Sequence, residues 1–296
     1  MFNQLKKLPY KERLARSWDV TKKTFAVIKA DKEILAFPIL SVLFTIGLFL
    51  LLFLPFIITL LVQSIIPPFT VMALFGLLFV FIQVFIGVFS HGAIVHIAKT
   101  RFEGGDATFM EGVKAAWNRK GQLIKWALLT GTVGLIISMA QNKARDKRGI
   151  AGAVANAILG LAALAWKIVS LFVVPAIMIK GTGPIDSLKK SYETIKKTWG
   201  ESLVKYLGLN VVGSLIGVIG FIVLVLPAIL FLIDGLFTLA IVFVLLWILF
   251  LTLTKVILSA ADTVFDTALF MYADTGKVPE AYTKEDLDHA FRVEKK

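Results

Sequence analysis

The chain has no cysteine, so it can form no disulfide, bind no metal through thiolates and carry no lipid on sulfur. Charge is scarce as well: 18% of 296 residues, where an ordinary soluble domain has roughly a quarter. Acid is the scarcer sign, with 20 Asp and Glu against 32 Lys and Arg. There are three histidines, and the two that lie near each other, His91 and His96, are five residues apart. About 500° of helical rotation puts them on different faces, unlike the i, i+4 pair that a helix offers a metal. No GxSxG, HExxH, P-loop or dinucleotide-binding glycine pattern stands in a strand-turn-helix context. The expectation is a protein that is not an enzyme and uses no cofactor or metal. The net charge of +12 comes with no domain-sized polar segment to carry a groove reader, so it points to the membrane surface rather than to nucleic acid.

What the chain has in plenty is apolar residues, 57% of the total, gathered in long blocks. The blocks run over Ile34–Val62, Phe69–Ala98, Gln122–Ala140, Ile150–Ile179, Leu203–Ile233 and Leu236–Leu258. Each approaches or exceeds the roughly 20 residues needed to cross ~30 Å of hydrocarbon at about 1.5 Å per residue. Helices alone satisfy every backbone group within such a segment, so the predicted fold is an all-α polytopic transmembrane bundle of about six spans. No signal peptide is expected, because the first apolar run starts near Ile34, behind a charged segment, and is too long for an h-region.

Basic residues set the orientation. Residues 1–33 hold nine Lys and Arg, 99–125 hold six, 180–205 hold six, and the tail beyond Ala273 adds five. The opposite connections hold none, apart from Lys143, Arg145, Lys147 and Arg148 between Gln141 and Gly149. The positive-inside bias therefore predicts a cell-membrane protein with both termini cytoplasmic.

A threefold repeat is visible. SWDVTKKTF from Ser17 to Phe25 matches SYETIKKTW from Ser191 to Trp199, and Leu14, Val113 and Leu188 each precede an aromatic residue by four positions, namely Trp18, Trp117 and Tyr192. Leu54-Pro55 and Leu226-Pro227 are expected to close spans 1 and 5. The unit is an amphipathic helix followed by a transmembrane hairpin, over about 10–101, 106–181 and 184–274 of a membrane domain at 1–274, with a cytoplasmic tail at 275–296. Leu14, Trp18, Thr21, Phe25 and Ile28 share one face of the first helix, which suits the headgroup boundary. Three such helices would form a collar presenting Trp18, Lys22, Lys23, Trp117, Tyr192, Lys196, Lys197 and Trp199 to anionic lipid. The alternative is that these helices pack on one another in the cytosol.

Small residues in spans 3 to 5 (Gly131, Gly134, Gly152, Ala153, Ala157, Gly160, Gly208, Gly213, Gly217, Gly220) make those spans the expected core, with Phe-rich spans 1, 2 and 6 facing lipid or a partner. Charges inside spans are costly and mark candidate sites. Lys167 stands in span 4, while Lys255, Ser259, Asp262 and Asp266 recur at offsets 0, 4, 7 and 11 on one face of span 6. Either Lys167 pairs with Asp262, or Lys255 snorkels at the boundary and both aspartates lie beyond it. The glycines of GTGP at 181–184 read as a helix stop. In the tail, a short helix near Lys284 to Phe291 docks through Leu287 and Phe291 or binds a partner.

The stretch AWKIVSLFVVPAIMIKGTGPIDSLKKSYETIKKTWGESL, from Ala165 to Leu203, with SWDVTKKTF and FPILS upstream, resembles an uncharacterised prokaryotic family of multi-span membrane proteins, a domain of unknown function. That resemblance implies a six-span helical domain and no known activity. The alternation of interfacial helix and span is more loosely similar to the membrane domain attached to glycerophosphodiester phosphodiesterases, without their catalytic barrel. Two functions remain open. One is a non-enzymatic scaffold, accessory subunit or membrane organiser whose basic collar meets lipid headgroups, a protein partner or a second copy of the chain. The other is a transporter or channel lined by Lys167, Asn156 or Asn210, although a same-direction threefold repeat is not the inverted pair common in transporters.

Overall fold

The computed structural model describes residues 10–63, 68–146, 149–199 and 216–288, with side chains from Trp18 onward and without those of Gln63 and Trp199. Among them there is no strand. The helices are α1 (Tyr10–Ala30), α2 (Glu33–Gln63), α3 (Phe69–Phe102), α4 (Phe109–Asn118), α5 (Lys120–Arg145), α6 (Ile150–Ser170), α7 (Val173–Lys180), α8 (Pro184–Trp199), α9 (Ile216–Ile233), α10 (Phe237–Thr275) and α11 (Lys284–Asp288). Six segments are long and apolar enough to cross a membrane: α2, α3, α5, α6 with α7, α9 and α10. They make the chain an integral, multi-pass membrane protein. Asn210, Gly208 and Gly213, the first part of span 5, Lys147, Arg148 and Phe291 lie outside the described residues.

Length decides where the core sits. With 34 and 39 residues, α3 and α10 run about 51 and 58 Å at 1.5 Å per residue, well past the ~30 Å of a bilayer's hydrocarbon. Their halves nearer the turns that carry no Lys or Arg expose apolar side chains in the bare chain, from Phe69 to Leu78 and from Phe237 to Leu253, as α2 does from Ile39 to Val62. Their far ends are buried. Ala93, Ile94, Val95, Ile97 and Ala98 of α3 meet Ala260, Ala261 and Val264 of α10, together with Ile34, Phe37, Leu123, Trp126, Val173 and Ile177. The packed core therefore lies at the basic end of the bundle, and an apolar belt suited to lipid surrounds the other.

This placement adds to the expectation that spans 3 to 5 form the core: their apolar stretches are more buried than those of spans 1, 2 and 6, but the closest packing lies at the basic end and draws on α3 and α10 as well. The hub is α3, which packs on α2, α4, α5, α7 and α10. Its Phe-rich stretch gives way to Gly92, Ala93 and Ala98 where the neighbours close in, and a Cβ on Gly92 would press on Met178 and Leu123. Small residues do bring other helices close: Gly131 faces Phe81, and a Cβ on Gly220 would collide with Phe250. Gly134, Gly160 and Gly217 have open space beside them.

Neither Leu54-Pro55 nor Leu226-Pro227 closes its span. Pro55 lies inside α2, which continues to Gln63, and α9 runs through Pro227 to Ile233 after a π-helical stretch at Phe221–Val225. A proline removes one intrahelical N–H, a loss that membrane helices accommodate by local adjustments of this kind. The GTGP stop is as expected: α7 ends at Gly181, whose φ of +69° is left-handed, and α8 starts at Pro184. That left-handed φ is what requires glycine at Gly181; the Arg119 guanidinium beside it is the end of a flexible side chain.

Sequence reading missed the clasp between α1, α2 and α3. Asp31, in the α1–α2 joint, is 1% exposed and takes two 2.6 Å hydrogen bonds from Nε and Nη2 of Arg101, at the end of α3. Such a bidentate pair fixes both direction and distance. Removing Arg101 strands a buried carboxylate. Arg101→Leu is expected to destabilise the fold by about 3 kcal/mol, at the low end for a broken buried pair because the guanidinium is about a third exposed, and Asp31→Asn by less. Thermal unfolding in detergent checks this; an Arg101→Leu melt identical to the parent's would refute the clasp.

Candidate functional site

The three short helices before spans 1, 3 and 5 each pack on a returning helix. α1 lies on α10, α4 on α3, and α8 on α6 and α7. Each buries a narrow face: Thr21, Thr24, Val27 and Ile28 in α1, Gly112 and Ala116 in α4, Ser187, Ser191 and Ile195 in α8. The faces follow from 3/4 spacing, and in α4 the register is set by a capping box in which Thr108 and Glu111 satisfy each other's backbone N–H.

Beside each buried face one device repeats. Trp18, Trp117 and Tyr192 are each about half exposed, at 51%, 56% and 51%. Over each ring sits a lysine ammonium: Lys22 at 5.7 Å from the Trp18 centroid, Lys120 at 4.1 Å from Trp117, and Lys196 at 5.9 Å from Tyr192. An aromatic body beside a cation suits a headgroup layer, where one end of the side chain is in oil and the other in water. On α4, Met110, Val113, Lys114 and Trp117 also line a shallow apolar groove.

The predicted α1 stripe does not lie on lipid as a unit. Thr21 and Ile28 are buried against protein, Phe25 is half-buried, and Trp18 at the stripe's edge is exposed. The reason is that α10 projects beyond the hydrocarbon and offers α1 an apolar wall. Lys197 is exposed, but Lys23 is turned inward: its ammonium lies 2.7 Å from both Asp19 and Asp286. Trp199's side chain is outside the described residues.

The span charges fall into two layers. Lys167 and Lys255 are exposed, and the helical rise puts them about 26 and 27 Å from the starts of α6 and α10, at the basic edge of the hydrocarbon. Asp262, half-buried, and Asp266, 7% exposed, lie farther along α10. Lys167 and Asp262 are within electrostatic reach of each other. Asn156 of α6 is half-buried.

The model of a family of unknown function, DUF6159, matches residues 69–280. The chain belongs to that family. No curated protein and no solved structure matches it, and the looser likeness to the phosphodiesterase-attached domain gains no support. In this DUF6159 protein the matched residues take in α3 through α10, while SWDVTKKTF and FPILS stand upstream of them.

The chain beyond α10 docks on the same end. After the left-handed Gly276, Tyr282 inserts between Phe102 and Phe265, and its hydroxyl lies 2.9 Å from that of Thr24. Leu287 is fully buried beside Phe172 and Ile195. Asp286 accepts from Lys23 and from the Thr283 N–H, and Tyr272 donates to Asp288 at 2.6 Å. Asp274 is held by Lys180 and by Lys190 at 3.3 Å. Burial pushes the Tyr282 hydroxyl's pKa up, against the pull of its Thr24 hydrogen bond. Burial alone would raise Asp286, but hydrogen bonds from Lys23 and Thr283 outweigh it and hold the carboxyl below the ordinary 3.8, while Asp19 and Asp286 raise Lys23 above 10.5.

A depressed carboxylate contributes stability that is present above its unfolded pKa and lost as pH falls through its folded value; a raised lysine contributes stability that is lost as pH rises through its own. Docking of 276–288 is therefore expected to be tightest between about pH 4 and 10, given these two shifts. Hydrogen exchange should show this segment loosening on acidification below that window. Asp286→Asn should abolish that part of the acid response.

Proposed function

We propose that the protein is a non-enzymatic scaffold, accessory subunit or organiser of the cell membrane, whose cytoplasmic collar binds anionic lipid headgroups. The observation that carries this reading is the set of three half-exposed aromatic rings, each with a lysine over it, on three helices at one end of the bundle. The cyclic packing of α1, α4 and α8 on returning helices supports a threefold repeat. The excess of Lys and Arg in the same connections supports a cytoplasmic location for that end and for both termini. The short inward faces explain how the collar stays fixed to the bundle while its outward faces remain free for lipid.

A basic residue near an anionic surface is worth about 1 kcal/mol, or roughly fivefold in affinity. Combining Lys22→Glu, Lys120→Glu and Lys196→Glu should lower phosphatidylglycerol binding by at least about a hundredfold at low salt, with the loss shrinking as salt rises. Unchanged binding would rule the collar out. Topology has its own check, since the chain offers no native thiol: Asp234→Cys, in the turn before α10, should react with an impermeant maleimide only from outside the cell.

The second reading, a transporter, has one observation in its favour, the placement of Lys167 of α6 within electrostatic reach of Asp262 of α10. Under it, Lys167→Leu in liposomes would abolish flux of a solute while leaving thermal stability intact. Under the scaffold reading the same variant has no such effect.

A further inference from the structure

The sequence match between α1 and α8 puts Lys23 and Lys197 in corresponding places, the second lysine of each Lys-Lys-Thr. The exposure of the two helices agrees residue by residue through the fifth of the matched positions from the aromatic: Trp18 and Tyr192 exposed, Asp19 and Glu193 exposed, Val20 and Thr194 half-buried, Thr21 and Ile195 buried, Lys22 and Lys196 exposed. Agreement then stops. Lys197 is exposed, with no ion pair among the described residues, while Lys23 is half-buried between Asp19 and Asp286. Thr24 is fully buried under the Tyr282 hydroxyl, while Thr198 is half-buried.

What distinguishes the two sites is the segment after α10. Asp286 is brought to Lys23 by three features independent of that ion pair: Tyr282 wedged between Phe102 and Phe265, Leu287 in the core, and the Thr283 cap that orients the Asp286 carboxylate. A carboxylate so placed is a preorganised substitute for a lipid phosphate. Asp19 is a weaker competitor, being a more than half-exposed i, i+4 partner in the solvated layer.

We propose that Asp286 is an intramolecular competitor for Lys23, so that the docked C-terminal segment holds one of the collar's cations away from anionic headgroups and tunes the collar's affinity. The proposal rests on the collar reading above and gives it a regulation: the collar gains a binding cation when Asp286 is neutralised or displaced, with the rest of the segment still seated.

The test titrates the full-length protein in detergent with phosphatidylglycerol and reads bound lipid by native mass spectrometry. Asp286→Asn keeps the Thr283 contact and the buried Leu287, which hydrogen exchange over 276–288 at neutral pH verifies. It should tighten lipid binding about fivefold, the value of one basic residue at an anionic surface. Adding Lys23→Gln to Asp286→Asn should remove the gain. Lys22→Glu, measured alongside, should weaken binding. If Lys22→Glu weakens binding while Asp286→Asn leaves it unchanged, the competition is wrong and the collar stands. If neither substitution alters binding, the collar itself is wrong. A gain that survives Lys23→Gln would assign the effect to some other group and overturn the role given to Lys23.

Discussion

The mismatch between helix length and bilayer thickness governs this structure. Because α3 and α10 are far longer than the hydrocarbon requires, their surplus turns need a second environment. Apolar surface that cannot stay in lipid must be covered by protein, and the short helices α1, α4 and α8 supply that cover. The result is two regimes in one chain: an apolar belt that presents Leu, Ile and Phe outward, as lipid requires, and a close-packed core at the basic end built with Ala, Gly, Thr and Ser where helices approach.

From that arrangement the polar details follow. A core outside the oil can hold Asp31 against Arg101, and hydroxyls such as Thr263 and Thr267 that bond back to their own helix carbonyls. It can also seat the segment after α10, since Tyr282 and Leu287 find an apolar recess with polar groups at its rim. The aromatic-lysine pairs fall on the outward faces of the covering helices because the inward faces are already committed to the core.

The spans were legible because a run such as Ile34–Val62 has only one stable state in oil, and the helix stop at Gly181 because a glycine followed closely by proline suits a left-handed helix end. The position of the core was legible only in part. Counting small residues in spans 3 to 5 gave weight to Gly134 and Gly160, which meet nothing, and left out Gly92 of span 2, which meets Met178 and Leu123. Helices longer than the membrane are the signal that was available: a span of 34 or 39 residues must leave the oil, and its last turns are then judged by the rules of water-soluble packing. Pro55 and Pro227 misled for a related reason, since a proline that would end a helix in water can be carried within one in lipid.

Of the collar residues, the exposed aromatic positions Trp18, Trp117 and Tyr192 could be read from helical spacing alone, which fixes a face but not its neighbours. Lys22 and Lys23 are adjacent and identical in type, yet one stacks on an exposed ring and the other is clamped by an acid 263 positions away. Local sequence holds no information about Asp286. It enters only because the chain after Gly276 turns back onto α1 and drops Leu287 into the core. Charge counted along a sequence therefore overstates the charge a surface can offer, and at this collar the difference is set by where α10 ends.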